Sequence, residues 1–158
     1  MIIIDDWAVN AHSLRIRLLL LGYRTTNALY TSGRLAMLSA IPLLILYRIY
    51  QGLIGCELPW SVRAGPRLRI FHGFGLVVNP RTRIGADCTL RQCTTLGARL
   101  CSSDAPTLGD RVDVGWNSVV LGEIHIGDDV RIGAGAVVVR SVPQGASVRG
   151  ASAEFFLE

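Results

Sequence analysis

The sequence predicts an all-β core, a parallel β-helix of hexapeptide repeats, preceded by a short N-terminal helical segment, and three observations predict it. Aliphatic residues recur every six positions after Gly55. Glycine follows many of them, and a small or β-branched residue stands four positions after most. A chain of 158 residues is one domain's worth, long enough to bury a core without disulfide or metal staples.

The period is the primary signal. Val78, Ile84, Leu90 and Leu96 lie six apart, as do Leu108, Val114, Val120, Ile126, Ile132 and Val138, and the two series share a phase. Between them the apolar position fails at Ser102, inside Arg99 to Pro106, which reads as an excursion loop. Six is neither the helix nor the simple strand period. Each unit is therefore a short strand and a turn: the aliphatic residue points inward, glycine (Gly85, Gly97, Gly109, Gly115, Gly127, Gly133) permits the turn, and residues such as Thr82, Cys88, Thr94, Ser118 and Ala136 fill the corner. Three units close one triangular coil. As a class, such solenoids wind left-handed, against the usual crossover preference; the period by itself does not show the hand.

Residues 1–54 differ in texture. Leu14, Leu18 and Leu21, then Leu43, Leu46, Tyr47 and Tyr50, recur at helical spacing, with Gly22, Gly33 and Pro42 expected to break the helices. The 50% hydrophobic content concentrates here, yet the run Leu35 to Tyr47 contains Pro42 and is shorter than the ~18 to 20 residues a membrane span needs. Two readings stand: a helical cap on the end of a larger core, or helices in a membrane interface with Arg15, Arg17, Arg24, Arg34 and Arg48 reaching headgroups. The start Met1-Ile2-Ile3-Ile4-Asp5-Asp6 is not that of a secretory signal, so a cytoplasmic protein is expected, with contact to the inner face of the membrane left open. Residues 55–150 form the predicted β-helix and 151–158 a tail.

Cys56, Cys88, Cys93 and Cys101 form no C-x-x-C pair, and His12, His72 and His125 are scattered, so no metal site is expected. The net charge of +4 is modest and the arginines are dispersed, which disfavours nucleic acid and suits an anionic small ligand or an anionic membrane surface.

Three segments carry a resemblance: Phe71-His72-Gly73-Phe74-Gly75-Leu76-Val77-Val78-Asn79-Pro80, Thr94-Thr95-Leu96-Gly97, and Ile132-Gly133-Ala134-Gly135-Ala136-Val137-Val138 followed by Val142-Pro143. From Gly55 onward the chain resembles the serine acetyltransferase family and its relatives in exopolysaccharide gene clusters, which are trimeric acetyl-CoA-dependent hexapeptide acyltransferases. That resemblance implies a homotrimer, acetyl-CoA as donor, no metal, and His72 as general base with Glu57 orienting its ring from fifteen residues earlier. The family's usual residue there is aspartate; Glu57 keeps the charge on a longer arm. Histidine suits the task, because an acceptor hydroxyl is a poor nucleophile until a base of near-neutral pKa takes its proton.

The resemblance also implies that coenzyme A lies between neighbouring solenoids, against Gly97, Gly115, Gly133 and Ala134, with Arg131 able to meet a phosphate and the turn at Gly97 able to steady an oxyanion. Each glycine alone can equally be a β-helix turn. Phe71 and Asn79, flanking the histidine turn, are the candidate substrate contacts. Two departures concern the acceptor: Phe71 stands where serine acetyltransferases carry an amino-acid-binding aspartate, and Ser103-Asp104-Ala105-Pro106 replaces their Arg-His pair. The ending Gly150-Ala151-Ser152-Ala153-Glu154 departs from the pattern that contacts the coenzyme's tail. A sugar hydroxyl in exopolysaccharide or glycan biosynthesis is therefore the expected acceptor. Free serine, a sugar amine, or a non-catalytic scaffold are the alternatives. His125 is expected on the solvent side of a strand, and His12 has no role on sequence grounds.

Overall fold

The computed structural model describes residues 2–99 and 104–150. Its first part is helical: α1 (Ile2–Val9), α2 (Leu14–Thr31), α3 (Arg34–Ser39) and α4 (Ile41–Ile54). Ser13 caps α2, its hydroxyl accepting from the Ile16 N–H. Pro42 sits in the first turn of α4, where a missing N–H loses nothing. Gly55 ends α4 in the left-handed conformation (φ 63°), which favours glycine. Gly33 (φ 108°) separates α2 from α3.

Gly22 departs from expectation, because α2 runs straight through it. Its role is contact. A Cβ there would stand 2.7 Å from Cδ2 of Tyr47, so the glycine lets α4 approach α2 closely. No helix among the described residues is long and apolar enough to cross a membrane.

The remainder is a parallel β-solenoid. The first coil holds β1 (Arg63–Ala64), β2 (Arg69–Phe71) and β3 (Val77–Val78), and the second β4 (Arg83–Ile84), β5 (Thr89–Arg91) and β6 (Thr95–Gly97). The third holds β7 (Thr107–Leu108), β8 (Asp113–Val114) and β9 (Val119–Leu121). The fourth holds β10 (His125–Ile126), β11 (Arg131–Ile132) and β12 (Val137–Val138), and β13 (Ser147–Val148) follows. Stacking gives three parallel sheets, ordered β1-β4-β7-β10, β2-β5-β8-β11-β13 and β3-β6-β9-β12. Every predicted inward residue from Val78 to Val138 is buried, and so are the predicted corner residues Thr82, Cys88, Thr94, Ser118 and Ala136.

The glycines, however, do not make the turns. The left-handed positions fall two residues after Gly85, Gly109, Gly115 and Gly127, at Asp87, Arg111, Asn117 and Asp129, with φ between 55° and 60°; short polar Asn and Asp tolerate that region best. The glycines are needed for space. A Cβ on Gly65 would stand 2.7 Å from the Ala86 nitrogen, and one on Gly115 2.6 Å from that of Ala134, because the next coil's backbone passes directly over them.

A solenoid exposes unpaired strand groups at its end, a liability that proteins cover. Here the helices cover the first coil with side chains in place of a strand. Asp6 Oδ1 accepts from Leu68 N at 3.0 Å, Asn10 Oδ1 accepts from Ile70 N at 2.9 Å, and Asn10 Nδ2 donates to Leu68 O at 2.8 Å. Arg24 donates to the Ala64 and Gly65 carbonyls, each at 2.6 Å, and to Asp6 at 2.7 Å. Beneath these bonds Ile16, Leu19, Leu20 and Tyr23 join Leu58, Val62, Leu68 and Ile70 in one core.

Candidate active site

The site begins where the repeat is interrupted. Leu90 to Leu96, Val114 to Val120 and Ile132 to Val138 each span one hexapeptide, but their counterparts in the first coil, Ile70 and Val78, are separated by two additional residues. This insertion puts His72 on an exposed turn with φ 64°, followed by Gly73 (φ 68°) and Gly75 (φ 67°). Unlike the other positive-φ residues with side chains, His72 falls outside the regular turn column, and such conformations persist where the surroundings hold them. They do so here. Arg15 Nη2 donates to the His72 carbonyl at 2.7 Å, and Tyr50 Oη donates to the Arg15 carbonyl at 3.0 Å. A Cβ on Gly73 would stand 2.9 Å from Ile16 Cδ1, so α2 packs tightly under the turn.

Glu57 lies on the adjoining segment. It bridges to Val77, with its N–H donating to Leu76 O at 2.7 Å, and the Gly75 N–H donates to Gly55 O at 2.6 Å, so the His72 turn and the Glu57 strand share one corner. Glu57, Arg48, Gln51, Gly55, Cys56 and Val77 line a cleft of about 410 Å³. No hydrogen bond joins the His72 and Glu57 side chains among the described residues. Both are exposed, so packing holds neither in one orientation, and catalytic hydrogen bonds are often loose before substrate arrives.

Phe71 is half-buried and engaged on its own account: His12 stacks on it with centroids 4.7 Å apart, and the Arg91 guanidinium lies 5.6 Å from its centroid. Arg91 also reaches the Trp116 ring at 4.9 Å, pairs with Asp113, and donates to the Val114 carbonyl at 3.0 Å. None of His12, Arg91 or Trp116 carried a functional reading in the sequence. A signal for Arg91 existed, since it fills the slot that Gly115 and Gly133 occupy in later coils.

Of the five candidate coenzyme contacts, Gly115, Arg131, Gly133 and Ala134 line one cleft of about 320 Å³ together with Arg91, Trp116 and Arg149. The cleft runs down the corner that the His72 turn tops: Phe74, Gln92, Trp116 and Ala134 precede the turns of successive coils, linked by Cys93 N to Phe74 O (2.8 Å), Asn117 N to Gln92 O (3.3 Å) and Gly135 N to Trp116 O (2.8 Å). Gly97 is not there. It ends β6, on another sheet, beside Asn79, whose N–H donates to Leu96 O at 2.7 Å and whose Oδ1 accepts from Arg81 N at 2.9 Å in a local turn.

His125 is exposed on β10. Cys56 and Cys88 are free and buried, and burial pushes their thiols up to about 12 and about 11, which leaves them un-ionised and inert near neutral pH. Cys93 is free and exposed. Of the loop replacing the Arg-His pair, Asp104 and Ala105 are half-buried and Pro106 is buried; Ser103, like Leu100, Cys101, Ser102 and the tail 151–158, lies outside the described residues.

No protein-family model matches the chain. It is 36% identical over 155 residues to the colanic acid biosynthesis acetyltransferase WcaB of Escherichia coli K12, covering 95% of this chain and 96% of that protein. To a serine acetyltransferase of Helicobacter pylori J99 it is 39% identical over 137 residues, covering 85% of this chain and 77% of that protein. Serine acetyltransferase isoform 3 of Entamoeba histolytica, solved in complex with cysteine, superposes with a TM-score of 0.86 over 99% of this chain at 24% identity, which establishes the shared fold. This chain spans 60% of that structure's length. An interrupted hexapeptide solenoid, matched along nearly its whole length by a named acetyltransferase, places the chain in the serine acetyltransferase-like family of hexapeptide-repeat acetyltransferases.

Proposed function

We propose that the protein transfers an acetyl group from acetyl-CoA to a sugar hydroxyl in exopolysaccharide or glycan biosynthesis, with His72 as general base. The observation that carries this reading is the two-residue insertion that raises an exposed histidine at the top of the corner holding Gly115, Arg131, Gly133 and Ala134. In the reaction, the neutral His72 ring takes the proton of the acceptor hydroxyl as its oxygen attacks the thioester carbonyl. The tetrahedral oxyanion collapses, the carbon–sulfur bond breaks, and the proton passes to the departing thiolate, leaving an acetyl ester and coenzyme A. Glu57 orients the ring and stabilises the imidazolium, as carboxylates do in hydrolase triads. Arg131 and its neighbour Arg149 meet the coenzyme's phosphates in the cleft. Such a donor places the reaction in the cytoplasm, a reducing compartment that suits the free thiols Cys56 and Cys88.

Gly97 and Asn79 lie together on a sheet away from the cleft, which supports a homotrimer in which a neighbouring chain supplies the Gly97 backbone as oxyanion donor and Asn79 as an acceptor contact. Light scattering at micromolar concentration is expected to report three times the 17.1 kDa chain mass. A single-chain mass would sink the trimer.

Serine is the second acceptor reading, favoured by the likeness to the Helicobacter serine acetyltransferase. What supports a sugar over serine is the likeness to WcaB over 95% of the chain, together with Phe71, which brings no carboxylate to the base's side where serine's ammonium would need one. Sites that lack a partner for a polar group reject it steeply. Measured kcat/KM is expected to favour nucleotide sugars or glycan oligomers over serine by at least about 10²-fold. A preference for serine would overturn the sugar reading while leaving acetyl transfer intact.

A further inference from the structure

We infer that the outer face of α2 and α4 is a docking surface for an anionic lipid bilayer. The helix α2 carries two apolar stripes: Ile16, Leu19, Leu20 and Tyr23 are buried on the solenoid, while Leu14, Leu18 and Leu21 remain exposed on the other side. On α4 the same holds of Ile45, Leu46, Ile49 and Leu53, with Leu46 at 62% and Leu53 at 78% exposure. Between the two helices opens a groove of about 420 Å³ lined by Leu18, Leu21, Leu43, Leu46 and Tyr50 among others, with no charged residue in its wall. A continuous exposed apolar face of this kind marks an interaction site.

Charge decides what covers it. Residues 7–56 contain five arginines and no aspartate or glutamate. Arg24 is used internally against Asp6, but Arg15 and Arg48 are exposed and Arg17 is half-exposed over the Trp7 ring. A second copy of the same face would bring cations against cations, with only Glu57 at the edge of the Arg48 cleft as a nearby acid. An anionic lipid surface neutralises them. The helices are too short and too interrupted to span, so they lie in the interface with their apolar sides among the acyl chains. The face is also continuous with the active corner, because Tyr50 in the groove wall bonds Arg15, and Arg15 bonds the His72 carbonyl. Docking would hold that corner at the membrane surface, whatever the acceptor.

The test uses the purified full chain, sedimented with vesicles rich in phosphatidylglycerol and, separately, with vesicles of phosphatidylcholine alone. The wild type is expected to pellet with the anionic vesicles, and the double variant Leu46→Glu/Ile49→Glu to bind them at least about 10-fold more weakly. Both positions are exposed and outside the site, so the variant should keep its fold by circular dichroism and its acetyl transfer to a soluble acceptor; a loss of lipid binding is thereby separable from a failure of the acetyltransferase reading. Wild type that remains in the supernatant, or a variant that binds equally well, overturns the inference. So does a larger protein assembly that the double variant splits, which would assign the face to a second copy.

Discussion

Replacing His72 with alanine is expected to lower turnover by roughly 10² to 10⁴-fold, the usual worth of a positioned general base, while acetyl-CoA still binds. The separation of the two effects follows from geometry. His72 sits on the turn above the corner, whereas Arg131, Gly133 and Ala134 line the cleft below it, several coils away. Glu57→Gln should cost less than His72→Ala, since Glu57 acts through the ring rather than on the acceptor. Thiol release in steady state measures turnover, and equilibrium titration measures donor binding. A His72→Ala protein within a few-fold of wild type would end the proposed mechanism, and one that lost donor binding as well would point to a collapsed turn instead.

The second large effect is on stability. Asp6→Ala is expected to destabilise the fold by about 3 to 5 kcal/mol, because breaking a buried pair leaves an uncompensated charge. Asp6 and Arg24 are 2% and 7% exposed, and Asp6 also accepts the Leu68 N–H that no strand satisfies. The alanine variant leaves the Leu68 N–H without its acceptor and the Arg24 charge with only the Ala64 and Gly65 carbonyls. Asp129→Asn provides the contrast: it removes the charge from an ion pair with Arg111 that is about half exposed on both sides, keeps a residue that tolerates the left-handed turn, and should change little because solvent screens the charges. Urea unfolding followed by circular dichroism reads both, with an unchanged slope confirming that midpoints compare stability. If Asp6→Ala lost no more than Asp129→Asn, the capping role would be wrong.

Arg24 shows why some of this escaped the sequence. Within α2 it reads as one more arginine among leucines, available to headgroups or solvent, and only the approach of β1 and α1 turns it inward onto Ala64, Gly65 and Asp6. The acidic start of α1 gives no sign that one of its two aspartates is buried against a strand edge. Phe71 is a similar case. Beside the base it reads as a substrate contact, yet His12 from the α1–α2 connection stacks on it. That contact joins residues far apart in the chain, and no periodicity reports such a pairing.

What the amino-acid sequence alone determined is the solenoid: its phase, its inward residues from Val78 to Val138, and its buried corners. A six-residue rule written into each coil is local, so it is legible without knowing what the coil meets. Only the tertiary structure decided that repeat glycines such as Gly85, Gly115 and Gly127 make room for the neighbouring coil's backbone rather than for the turn, and that Gly22 makes room for Tyr47. It alone separated Gly97 and Asn79 from the cleft of Gly115, Arg131, Gly133 and Ala134, and put Arg91 between Phe71 and Trp116. The physical reason is the same for each: these contacts form between coils, or between helix and coil, where close packing of distant segments sets which side chain fits.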